Sequence, residues 1–199
     1  KSLNRVRTGT PVRAVERLGD RSGVDVTTAE GVAERYSAAV IATHPDTALR
    51  ILAHPTQAEQ RALSAFRYSR NETVLHQDPA VLPKARRARA AWNYLLPDCG
   101  ARSDRVLVSY DMNVLQHIPG SRPYVVTLNA TSQIAPQQVI ARMVYEHPIF
   151  TPESVAAQKL LPALNDGLLA FAGAYHGWGF HEDGCRAGVA AAESLGSGW

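Results

Sequence analysis

The stretch "AYHGWGFHEDGCRAGVAAAESL", Ala174–Leu195, sets two histidines and two acids in a glycine-rich loop, then turns small and apolar. Its reading decides the fold, because such a loop holds a metal ion, a phosphate or the edge of a ring. His176, His181, Glu182 and Asp183 have the chemistry of metal ligands, but His-x-x-x-x-His matches no zinc motif, and a helix-borne pair sits at i, i+4. The segment "GWGFHE" begins like G-x-G-x-x-G and then puts Glu182 in sixth place, where an acid repels a pyrophosphate. The third reading uses more of the residues. "GLLAFAG" (Gly167–Gly173) is a buried-type strand that delivers the chain to the loop. After the loop, Gly184, Ala187, Gly188 and Ala191 recur at helical spacing and permit close backbone approach. The helix N-terminus would offer N–H groups and partial positive charge to a flat ring that becomes anionic on reduction. Spacing alone favours the plainer reading, in which Glu182 and Asp183 merely cap a core helix.

The rest of the chain narrows the classes. Its 199 residues suit one large domain or two small ones, and 45% hydrophobic with 20% charged residues is ordinary globular composition. A net charge of +3 demands no nucleic-acid partner. The one basic run, "KARRAR" at Lys84–Arg89, lacks interleaved aromatics and reads as a solvated loop. Cys99 and Cys185 show no metal or redox spacing, so two free thiols in a cytoplasmic protein are expected. No apolar run approaches the length of a spanning helix. "KSLNRVRTGT" shows no signal-peptide pattern and opens mid-pattern without methionine, which points to a piece of a longer polypeptide.

"PVRAVER" (Pro11–Arg17) and "GVDVTT" (Gly23–Thr28) alternate as strands around the turn "LGDRSG". "AVIAT" (Ala39–Thr43) is apolar on both faces, as in a parallel sheet. Asp46 is placed to cap a short helix through Leu52, and "TQAE" (Thr56–Glu59) is a capping box for a helix over Gln57–Phe66. Strand patterns then dominate from Tyr68 to Glu146 and suggest an antiparallel meander. "TPESVAAQKLL" (Thr151–Leu161) starts a helix with a Thr cap and Pro at its first position.

Together these segments resemble the flavin-containing amine oxidase-like oxidoreductases, a bacterial subgroup of predicted NAD/FAD-binding proteins. The resemblance runs through "GTPVRAVERLGDRSGVDVTT", "AVIATHPDTALRIL", "AWNYLLPD", "SYDMNVLQ", "YVVTLN", "YEHPIFT" and, most specifically, "GAYHGWGFHEDGCRAG". It implies an α/β fold with an α+β substrate domain. Residues 1–45 and 151–199 would belong to an FAD-binding, Rossmann-like domain, and residues 46–150 to a substrate domain with a mostly antiparallel sheet. The family's strand–G-x-G-x-x-G–helix unit is absent from this sequence, so the cofactor domain is incomplete. The implied partner is the missing N-terminal half of the same polypeptide, and this chain alone is expected to bind FAD weakly or not at all.

By the same resemblance Val12 would hold the adenine end of FAD through its backbone, with Thr43 closing a strand near the dinucleotide. Gly173 and Ala174 would lie along its ribityl or pyrophosphate part, and Phe180, His181, Glu182 and Gly184 would border the isoalloxazine ring. The family usually has an acid shortly after "FAG"; here Ala174, Tyr175 and His176 follow. The reaction implied is oxidation of a small-molecule or lipid-like substrate by hydride transfer to the flavin, which asks little of protein acid–base groups. Trp92, Tyr94, Tyr110 and Asn113 are candidates for the substrate cavity, although aromatic residues also pack well in plain sheets. His147 and His44, each before a proline, are left without a catalytic role. The rival expectations are a non-catalytic binding domain that keeps the fold, and a metal enzyme centred on His176, His181 and Asp183.

Overall fold

The computed structural model describes residues 6–96 and 106–197. The chain divides into two units, residues 1–67 with 148–199, and residues 68–147.

In the first unit, β1 (Val12–Arg17), β2 (Val24–Thr28) and β3 (Ala33–Tyr36) form an antiparallel sheet in that order. The β1–β2 turn places Arg21 at positive φ and closes with Leu18 N–H on Gly23 O. β4 (Ala39–Ile41) pairs in parallel with β10 (Leu169–Phe171). All three β10 side chains are fully buried, as the apolar run requires. Among the described residues no further strand pairs with the far side of β10. Asn165 Oδ1 takes the Phe171 N–H at 3.0 Å, and Asp166 Oδ1 takes those of Leu168 and Leu169 at 3.0 and 2.9 Å.

Helix α1 (Pro45–Ile51) begins after His44, not Asp46. Pro45 fits the first turn because its missing N–H would be unpaired there, which leaves Asp46 inside that turn beside the positive helix end. α2 (Gln57–Leu63) carries the Thr56–Glu59 capping box but stops at Leu63, short of Phe66. α4 (Pro152–Gln158) starts at the Thr151 cap, with Ser154 completing a second capping box. α5 (His181–Ser194) packs Ala187 and Ala191 on Ala170 of β10 and on Ala172 just after it, with Leu195 alongside. These small side chains let helix and strand approach closely.

α1 and α2 fall in the unit of residues 1–67 with 148–199, whereas the resemblance implies a substrate domain over residues 46–150. Long-range pairing explains the place of α2. Arg17 of β1 donates to Glu59 of α2 at 2.5 Å and to Asp166 ahead of β10 at 2.7 Å. Glu59 is only 1% exposed, so the guanidinium is what allows this carboxylate to be buried.

The second unit is a five-stranded sheet in the order β6-β7-β8-β5-β9. Its strands are β5 (Arg67–His76), β6 (Trp92–Tyr94), β7 (Val108–Asp111), β8 (Val125–Leu128) and β9 (Val139–Ile149), and its β6/β7, β7/β8 and β5/β8 pairs are antiparallel. Short helix α3 (Met112–Leu115) follows β7. Asn93, Ser109, Thr127 and Val74 stand in register across four strands, all buried. The buried face is therefore partly polar. Asp78 N–H donates to His76 Nδ1 at 3.1 Å, which puts the imidazole proton on Nε2. Nε2 then donates to Thr127 Oγ1 at 2.8 Å, and the Thr127 and Ser109 hydroxyls share a hydrogen bond at 2.8 Å in which either can donate. Burial pushes His76 below the ordinary histidine range.

The basic segment Lys84–Arg89 is largely exposed. Cys185 is an exposed free thiol, while Cys99 lies outside the described residues. Among the described residues no helix is long and apolar enough to cross a membrane.

Candidate functional site

The carboxyl ends of the parallel pair β4 and β10 lie side by side, joined beyond the strands by Ala172 N–H on Ile41 O at 3.1 Å. Parallel strands present ligands at that end, where the chain leaves the sheet in loops. Thr43 follows β4 there and is exposed, its hydroxyl turned to His44 O at 3.2 Å. Gly173 and Ala174 follow β10. A Cβ on Gly173 would lie 2.5 Å from the Tyr175 ring, so only glycine lets that ring fold back over the strand end. Val12 belongs to the other sheet, where it pairs with Thr28.

The loop from Gly173 to Phe180 is built of tight turns. His176 N–H reaches Gly173 O, and the N–H groups of Gly177 and Gly179 both reach Ala174 O at 3.1 Å. Gly179 has φ +88°, a left-handed turn that suits glycine. The turn throws Trp178 and Phe180 outward, 62% and 63% exposed. Trp178 leans on Phe150, with ring centroids 5.6 Å apart. An aromatic ledge thus forms on a backbone rich in glycine.

The two acids diverge. Glu182 is exposed, as is His181. Asp183 turns inward, and its Oδ2 accepts from Trp178 N–H at 3.0 Å and Phe180 N–H at 3.1 Å, while Oδ1 accepts from Arg186. The Phe180 amide holds this carboxyl below the usual range against the opposing pull of burial, with Arg186 and the Trp178 amide adding to it. Asp183 is thus the N-terminal anchor of α5. Only this half of a capping box operates, since the Phe180 side chain has no acceptor. The amides of Asp183 and Gly184 return to Phe180 O. Among the described residues no hydrogen bond takes up the amides of His181 and Glu182, the first two of the helix. Gly184 lies against Ala174, where an added Cβ would sit 3.7 Å from its nitrogen.

His176 Nε2 is buried without a hydrogen-bond partner, and burial lowers its proton affinity. Among the described residues no three His, Cys, Asp or Glu side chains gather as a metal would require. A groove of about 730 Å³ beside α2, lined by Gln57, Arg61, Ser64, Leu160 and Leu164, contains none of the residues expected around the cofactor.

In the second unit, Trp92, Tyr94 and Tyr110 share one sheet face. Trp92 opposes Tyr110 across β6 and β7, their rings edge to face at 5.5 Å, and both Trp92 and Tyr94 are exposed. Val108 and Val126 stand on the same face, so it presents no charged side chain on β6, β7 or β8. Asn113 does not join it. Its Oδ1 accepts from Tyr124 N–H at 2.8 Å and its Nδ2 donates to Arg122 O at 3.0 Å, so Asn113 organises the turn before β8. His147 is inside β9, with Nδ1 2.9 Å from Asn71 Nδ2. Sequence reading did not find Gln158. Its Nε2 donates to Tyr175 O at 3.1 Å and to Gly177 O at 2.6 Å. Nothing in a glutamine at the end of a short helix announces a partner seventeen residues away.

A strand–glycine loop–helix set at the end of a parallel pair in one unit, and a mostly antiparallel sheet in the other, make this a mixed α and β protein. Residues 1–77 match the model of the family described as flavin containing amine oxidoreductase. Solved structures with the same fold include a CLA-producing fatty acid isomerase from P. acnes, at 12% identity and a TM-score of 0.61 over 89% of this chain and 45% of that one. A reduced UDP-galactopyranose mutase matches at 12% identity and a TM-score of 0.62, over 96% and 48%. A putrescine oxidase redesigned in its cofactor binding matches at 12% identity and a TM-score of 0.58, over 94% and 48%. The chain spans about half the length of these structures. Comparison with curated proteins gives no match.

Proposed function

We propose that this chain is the ring-bordering part of an FAD-dependent oxidoreductase of the amine oxidase type, acting in the cytoplasm on a small-molecule or lipid-like substrate. The observation that carries the reading is the Gly173–Phe180 loop, set at the carboxyl end of the β4/β10 pair and running into the mouth of α5. The residues present suit a flavin edge: glycine backbone for close approach, the first two amides of α5 at a positive helix end, and exposed Phe180 beside them. Bound FAD would supply the two-electron oxidation. Gly173, Ala174 and Gly184 would line its approach, Phe180, His181 and Glu182 would border the ring, and Thr43 would close the strand end. Val12 would act at the adenine end through its backbone.

The phosphates would be gripped by a strand–G-x-G-x-x-G–helix unit of a Rossmann-like domain in the longer polypeptide. The uncharged face of Trp92, Tyr94 and Tyr110 would contact an apolar substrate and help exclude water from it. Asn113 would support that face by fixing the turn ahead of β8. Titration with FAD tests the reading. The 199-residue chain should bind weakly or not at all, and the full-length gene product stoichiometrically with a visible flavin band. A full-length product that stays colourless and takes up no FAD overturns the proposal.

A further inference from the structure

We infer that Gln158 is a positioning residue of the flavin-bordering loop, acting with Asp183 to clamp the single peptide group between Gly177 and Trp178. The inference rests on the FAD reading and adds a residue that neither motif nor resemblance marks.

The carbonyl end of that peptide is held from α4, where Gln158 Nε2 lies 2.6 Å from Gly177 O. Its amide end is held from α5, where Asp183 Oδ2 lies 3.0 Å from Trp178 N. Each clamp is doubled. The second Nε2 hydrogen of Gln158 goes to Tyr175 O, and Asp183 Oδ2 also takes the Phe180 amide. Both hydrogens of one amide group and the carboxylate of a 6%-exposed aspartate thus fix one short loop. Gln158 is the last residue of α4, a helix otherwise anchored by the Thr151–Ser154 box at its far end. The bonds place the loop relative to two helices through its backbone groups, while Trp178 and Phe180 are presented outward. A peptide fixed at both polar ends cannot flip, so the first amides of α5 and Phe180 keep one geometry before a ring arrives. Preorganisation of this kind appears as affinity.

The test uses Gln158→Ala and Gln158→Glu. In Gln158→Ala, amide hydrogen exchange across residues 174–180 should quicken about tenfold, the ratio expected from losing one or two ordinary hydrogen bonds. In the full-length gene product the same change should weaken FAD binding by about tenfold, with the melting temperature near that of wild type. Gln158→Glu sets a carboxylate against two carbonyl oxygens, so at neutral pH its loop should exchange faster than wild type. Acidification restores a donor, and both its exchange protection and its FAD affinity should recover toward wild type measured at the same pH. Gln158→Ala should show no such recovery. Unchanged exchange, or faster exchange with unchanged FAD affinity, overturns the inference. Failure of the FAD reading shows differently: wild type itself then binds no FAD, and the role assigned to Gln158 falls with it.

Discussion

Gly177 and Asp183 lie so close that a Cβ on the glycine would stand 2.2 Å from Asp183 Oδ1. No rotation of the carboxylate relieves this without breaking its bonds to Trp178, Phe180 and Arg186. Gly177→Ala should therefore destabilise the first unit by about 1–3 kcal/mol, the usual cost of overpacking a well-fitted site. Removing the obstacle should remove most of that penalty, so Gly177→Ala should lower the urea midpoint less in an Asp183→Ala background than in wild type. Equal shifts in both backgrounds would refute the contact.

Arg17 ties three separated segments together. Replacing it with Met keeps the apolar stem but leaves Glu59 buried without a cation. The expected loss is about 2–4 kcal/mol in urea denaturation, because an unpaired buried carboxylate costs more than the pair contributes. Adding Glu59→Gln should recover part of it, since the neutral amide can still accept from Thr56.

Thr127 links His76 to Ser109 across the sheet of the second unit. Thr127→Val preserves shape and leaves both neighbours short of a partner, with an expected cost of about 1–3 kcal/mol. Ser109→Ala added to Thr127→Val should cost less than the two single losses together, as members of one network are not additive.

His76 makes the second unit sensitive to acid. Its folded proton affinity is lowered by burial, outweighing the pull of Asp78. The unfolded chain then binds more protons than the folded one once pH falls below the ordinary histidine value of about 6.5, and stability declines with it. Stability is full above that value and is lost progressively toward the depressed folded value. Thermal melts should show this decline between neutral and mildly acidic pH, with a shallower slope in His76→Gln. An equal slope would assign the effect to other groups.

Local rules carried much of the fold. Alternation placed β1 and β2, "TQAE" and "TPES" placed the starts of α2 and α4, and the small residues after Asp183 placed α5 against a strand. These features depend on neighbours a few positions apart, so the sequence determines them by itself. The resemblance in "GAYHGWGFHEDGCRAG" also lay within one continuous segment.

Only the tertiary structure decided what depends on distant partners. It tied α2 into the first unit through Arg17, Glu59 and Asp166, separated Asn113 from the face of Trp92, Tyr94 and Tyr110, and sent Glu182 outward and Asp183 inward. In the opening stretch, the histidines and acids looked equivalent as ligands. Packing distinguishes them: Asp183 turns inward to hold the loop, Gln158 holds it from another helix, and Trp178 and Phe180 stand exposed on it. The reason is physical. A hydrogen bond between residues far apart in sequence forms only after burial has fixed both backbones, and no short pattern encodes that.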